Sequence, residues 1–162
     1  MQDDDSIDRR IDFAKFILGH NQDIINLVDT KAGVLLAVDG AILALLTAMP
    51  VQSGSMIVRT VMVLTVVAVG LSALCGFLTI VPRTARPSPA SQIFFRSIVS
   101  KSRDQHMEGF NPSPEEILQD YLENIYSLAL IQKKKFAYLS ISLYCLTLGL
   151  IPLSVLVIFT HV

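Results

Sequence analysis

Apolar positions in this chain gather into three long runs. The first covers roughly residues 32–49, "AGVLLAVDGAILALLTAM". The second covers 60–81, "TVMVLTVVAVGLSALCGFLTIV", and the third 136–159, "FAYLSISLYCLTLGLIPLSVLVIF". A helix needs about 20 mostly apolar residues to cross the hydrocarbon of a bilayer. Soluble helices are seldom apolar all round for so long. The pattern predicts an all-α membrane protein with three transmembrane helices and cytoplasmic helical extensions forming a small bundle. It predicts a single domain over residues 1–162.

The extensions carry a different period. Ile7, Ile11, Ala14, Leu18, Ile25, Val28 and Ala32 recur at intervals of four and three, with Asn21 at the missing step. That alternation is the seam of a packed helix pair. Asn21 either fixes the register of that seam or bonds to a neighbouring helix. No proline separates residues 7–31 from the first run, so one helix continues from one into the other. A second long helix starts at "NPSPEEI": Ser113 is an N-cap, Pro114 suits the first helical position, and Glu116 completes a capping box. Its apolar residues include Ile117, Leu118, Tyr121, Leu122 and Ile125, and it enters the third run unbroken until Pro152. Five prolines punctuate the segment 82–135, where "QIFFRSIV" reads as a short amphipathic piece.

Polar residues inside the runs are few. Asp39 lies about 10 Å into the first run at 1.5 Å per residue. A charged carboxylate facing lipid there costs at least about 2.5–3.5 kcal/mol, so Asp39 should face protein. At matching depth from the inner edge lie Ser72 in the second run and Ser142 and Tyr144 in the third. These four are the candidate members of one polar layer, of which only some can point inward together. The alternative is that Asp39 is protonated and makes only a local hydrogen bond. Small residues recur four apart at Ala68, Ser72 and Gly76, and again at Gly40, Ala44 and Ala48. Both stripes are expected to pack the spans of one subunit closely. At the mouth of the first run, Asp29 and Lys31 stand about 200° apart on a helix, so each needs a separate partner.

Charge adds an orientation. The net charge is -1, which by itself excludes no partner, but the basic residues are unevenly placed. Arg9, Arg10, Lys15 and Lys31 precede the first run. Eight more lie in 82–135: Arg83, Arg86, Arg96, Lys101, Arg103, Lys133, Lys134 and Lys135. Basic segments stay on the cytoplasmic side, so the N-terminus and the middle segment are expected inside. The lysine triplet is expected at anionic headgroups, with no nucleic-acid role. The acidic start "MQDDDSIDRRIDF" has no apolar h-region and does not read as a secretory signal.

Catalytic chemistry finds no support in the motifs. There is no G-x-S-x-G, no H-E-x-x-H and no P-loop, and His20, His106 and His161 are scattered. Cys75 and Cys145 sit in apolar runs and are expected to be buried small hydrophobes. The sequence points to no enzyme, no metal and no cofactor.

"VDTKAGVLLAVDGAILALL", with the later "QIFFRSI" and "LENIYSLALIQKKKFAYLSISLYCLTLGLI", resembles the bacterial Pycsar effector transmembrane family. The most specific piece is Asp29-Thr30-Lys31-Ala32. The resemblance implies an inner-membrane effector of antiphage defence, partnered functionally by a pyrimidine nucleotide cyclase. Its trigger would be a cyclic pyrimidine mononucleotide, cUMP or cCMP. Its output would be loss of membrane integrity that arrests or kills the infected cell, through a homo-oligomer in the lipid bilayer. The chain shows no β-rich nucleotide-binding domain, so a bound phosphate must use the helical cytoplasmic part. Candidate ligands are Arg83, Arg86, Arg96 and Arg103, each equally a topology charge, with Asn21 for the base edge. Two other readings remain: a membrane anchor recruiting a soluble partner, and a small oligomeric channel.

Overall fold

The computed structural model describes residues 2–48, 56–82, 91, 95–100, 102–104 and 111–161, without the side chains of 2–5, 95, 96 and 156–161. Of these residues 94% are helical, and none forms a strand. The described residues include three long helices, α1 (Gln2–Ala48), α2 (Met56–Ile80) and α4 (Pro114–His161), and a short one, α3 (Phe95–Ser100). All three long helices are long and apolar enough to cross a membrane.

Helix α1 runs without a break across the change from polar to apolar sequence, as the lack of proline predicts. Helix α4 starts on the expected capping box. The Ser113 amide donates to Glu116 Oε2 at 2.8 Å, and the Glu116 amide donates to Ser113 Oγ at 3.3 Å. Pro152, where a break is expected within the third span, leaves α4 continuous; the helix runs on to His161. A proline deletes one backbone bond, and helices in lipid tolerate it when the freed groups find other partners.

Contacts divide the chain into two units. The first takes residues up to Asn26 and 83–133. Its core is Ile11, Ala14 and Leu118, with Ile7, Ile117, Tyr121 and Ile125 packed against it. These are the seam positions of α1 meeting the apolar face of α4. Gln132 Nε2 donates to the Asn21 carbonyl at 2.7 Å and approaches Asn21 Oδ1 at 3.4 Å.

The second unit takes residues 27–82 and 134–162. Each of its helices buries one narrow stripe. On α1 the stripe is Val28, Ala32, Leu35, Asp39 and Leu46; on α2 it is Thr65, Val69, Ser72, Gly76 and Thr79. On α4 it is Lys135, Leu139, Ser142, Leu146 and Gly149. Steps of four and three dominate all three stripes, which is left-handed knobs-into-holes packing. The remaining faces are large and apolar: Val34, Leu45, Val63, Leu74, Phe77, Ile141 and Leu148 are all exposed. Surface of that size and hydropathy belongs in lipid.

Glycine sets how closely two of these helices approach. A Cβ on Gly149 would meet Ala68 Cβ and Val69 Cγ2, both at 3.2 Å. A Cβ on Gly76 would meet Leu36 Cγ at 3.3 Å. The α2 stripe of Ala68, Ser72 and Gly76 therefore packs inside the subunit as expected. The stripe Gly40, Ala44 and Ala48 does not; all three are exposed. The buried face of α1 is centred on Leu35, Asp39 and Leu46, and Gly40 lies about 100° round the helix from Asp39.

Gly149→Leu should therefore cost about 1–3 kcal/mol by overpacking. Gly70→Leu should be nearly neutral, because nothing lies within 4 Å of a Cβ there. Thermal aggregation of the two variants in detergent, against the parent chain, reads the difference.

Candidate functional site

Asp39 comes from the middle of α1, where the seam spacing turns it inward beside the α2 and α4 stripes. It is fully buried. Ser72 Oγ donates to Asp39 Oδ2 at 3.0 Å. The Ser72 and Ser142 hydroxyls lie 3.1 Å apart, and Ser142 Oγ donates to the Ser72 carbonyl at 2.7 Å. One polar group thus joins three helices. Asp39 Oδ1, also buried, has no hydrogen-bond partner among the described residues. A buried polar atom left unsatisfied costs about 1–3 kcal/mol.

Tyr144 stands outside this group, 70% exposed. Two residues along a helix is about 200°, so Tyr144 faces away once Ser142 faces in. Other polar residues on the α2 stripe satisfy themselves. Thr65 Oγ1 donates to the Val61 carbonyl at 2.9 Å, and Thr79 Oγ1 to the Cys75 carbonyl at 3.0 Å. Asp39 is the carboxylate that a neighbouring span must hold.

A second polar contact lies nearer the mouth of the spans. Lys135 Nζ donates to Asp29 Oδ1, tying α4 to α1. Lys135 is buried, whereas Lys133 and Lys134 are exposed. The lysine triplet therefore does not act as one headgroup-facing set. Residue 135 begins the buried α4 stripe, while 133 and 134 fall off it. The 4-3 spacing back from Ser142 and Leu139 marks this in the sequence, but three lysines together masked it. Thr30 and Lys31 are exposed beside the pair.

Of the four arginines expected as phosphate ligands, Arg103 alone has a described side chain. Arg103 is exposed. Arg83 and Arg86 lie outside the described residues, as does the side chain of Arg96, although its backbone is in α3. Asn21 is half-buried, and its carbonyl is taken by Gln132. Cys75 and Cys145 are free and only half-buried, not fully buried as expected, because both stand beside the stripes and not on them. No group of three metal-ligating side chains occurs among the described residues.

Ser72→Ala would leave neither Asp39 oxygen with a donor, and should destabilise the membrane unit by about 1–3 kcal/mol. The Asp29–Lys135 pair should respond asymmetrically. Asp29→Asn strands a buried ammonium and should cost about 3–5 kcal/mol. Lys135→Met leaves a partly solvated carboxylate and should cost clearly less. Both comparisons are read from thermal unfolding in one detergent.

Comparison with known proteins fits these helices. No curated protein and no solved structure matches the chain. A family model described as the Pycsar effector protein domain matches residues 13–161, which takes in Asp29, Asp39, Ser72, Lys135 and Ser142. With all but the first twelve residues and the last one inside that match, the chain belongs to the Pycsar effector family.

Proposed function

We propose that this membrane effector of antiphage defence is switched by a cyclic pyrimidine mononucleotide, cUMP or cCMP, supplied by a pyrimidine nucleotide cyclase. On this reading it sits in the bacterial inner membrane with its N-terminus inside. The observation that carries the reading is the family match, together with two helices that each join polar to apolar sequence without a break. The family is one of membrane effectors and not a known enzyme family, and no step here needs bond chemistry.

The mechanism follows from where the polar groups are. A nucleotide phosphate would engage arginines of the middle segment, with Arg83, Arg86, Arg96 and Arg103 as candidates, and Asn21 near the base. Binding would shift α1 against α4 at their water-exposed ends. Rigid helices carry such a shift along their length. The Asp29–Lys135 pair and the Asp39–Ser72–Ser142 group are the contacts it would strain. Parting them exposes a carboxylate and two hydroxyls among apolar helices. In hydrocarbon those groups recruit water or a second subunit. The membrane then leaks, and growth stops.

Vesicles carrying the purified chain and a membrane potential should depolarise on addition of cUMP or cCMP, and stay polarised with cAMP. A potential indifferent to all three nucleotides removes direct sensing. Asp39→Asn keeps an acceptor for Ser72 and should fold normally, yet change the leak. Wild-type killing by that variant would reduce Asp39 to a structural residue.

A further inference from the structure

Helix α1 carries a second seam that is left uncovered among the described residues. Phe13 and Phe16 are 64% and 69% exposed, and His20 and Asp23 follow them on the same face. The steps are three, four and three, the same alternation as in the buried seam. His20 stacks on Phe16 with ring centroids 6.3 Å apart. Helix α4 does the same. Leu122 and Tyr126 are 51% and 67% exposed, followed by exposed Leu130 and Lys133, and preceded by Gln119. Both stripes precede the apolar spans, so lipid does not account for them. Exposed aromatic stripes of this length mark contact surfaces.

The two stripes share a register. Leu118 shares a buried cluster with Ile11 and Ala14, 107 and 104 positions earlier, and Gln132 bonds to Asn21, 111 positions earlier. In the membrane unit Asp29 and Lys135 are 106 apart. A residue of α1 is therefore level with the one about 106 positions later on α4, and the two helices run parallel. By that count Phe13 is level with Gln119, Phe16 with Leu122 and His20 with Tyr126. Asp23 stands one turn above the level of Lys133, about 6 Å, within reach of a lysine.

We infer that the α1 stripe of one copy docks on the α4 stripe of the next, head to tail, in a ring about the membrane normal. Copies inserted with one orientation present every residue at one depth. A two-fold contact of α1 on α1 would then set Asp23 against Asp23, and α4 on α4 would set Lys133 against Lys133. Like charges facing each other across a seam disfavour both. The heterologous contact instead sets Asp23 beside Lys133 and covers both stripes at once. Such contacts close into rings when the rotation allows. The inference rests on the membrane topology proposed above and not on the nucleotide trigger.

The test uses the full chain in membranes, with Cys75 and Cys145 changed to alanine. Phe16→Cys and Leu122→Cys are placed on separately tagged copies, co-expressed and oxidised without nucleotide. Cross-links joining the two tags are expected, with little product from either variant alone. Asp23→Lys should cut that yield severalfold, and adding Lys133→Asp should restore it. Phe16→Cys dimers formed alone, or absence of mixed product from membranes that hold both folded variants, overturns the proposal. Depolarisation is not read, so failure of the trigger and failure of the ring remain separate results.

Discussion

Hydrocarbon offers a carboxylate no solvent, and that one constraint organises the membrane part of this protein. Asp39 sits where water cannot reach it, so another span must supply its donor. Ser72 does so, and Ser142 in turn donates to the Ser72 carbonyl. Three helices therefore meet at one depth, with one mutual rotation. Aliphatic packing alone is weakly selective between lipid and helix, because lipid tails are as apolar as leucine. The polar group supplies the selectivity. Gly76 and Gly149 then let backbones approach closely enough for the serine contacts to form.

The same logic repeats at the mouth of the spans, where Lys135 is buried against Asp29. A buried ion pair is poor evidence of stability, yet breaking one partner is costly. Such a pair resists disruption until something compensates the stranded charge. With the Ser72–Asp39 hydrogen bond ten residues further along, this ion pair holds α1 at two points. The two contacts leave it few intermediate positions. The switch proposed for this effector would use that.

Much of this was legible in residue order. The three spans, the capping box at Ser113 and the seam from Ile7 to Ala32 all follow from spacing. Depth matching brought Asp39, Ser72 and Ser142 together, but depth alone cannot choose between Ser142 and Tyr144. Rotation decides, and rotation needs the neighbouring positions Leu139 and Leu146. Lys135 was hidden in a run of like residues, because charge composition is blind to which of three lysines faces in. Gly40, Ala44 and Ala48 carried the small-residue signature without the contact, since a stripe shows which close approach is possible and not which one occurs. Pro152 leaves α4 continuous, because a membrane-spanning helix tolerates the one backbone bond that a proline removes.

The central claim is that α2 and α4 face each other through Ser72 and Ser142, with Tyr144 turned outward. A disulfide scan in native membranes addresses it directly, in a chain whose two natural cysteines are replaced by alanine. Ser72→Cys with Ser142→Cys should form an intramolecular bond on mild oxidation, and Ser72→Cys with Tyr144→Cys should not. A bond through position 144, with none through 142, would mean that α4 is rotated and that the group around Asp39 does not exist.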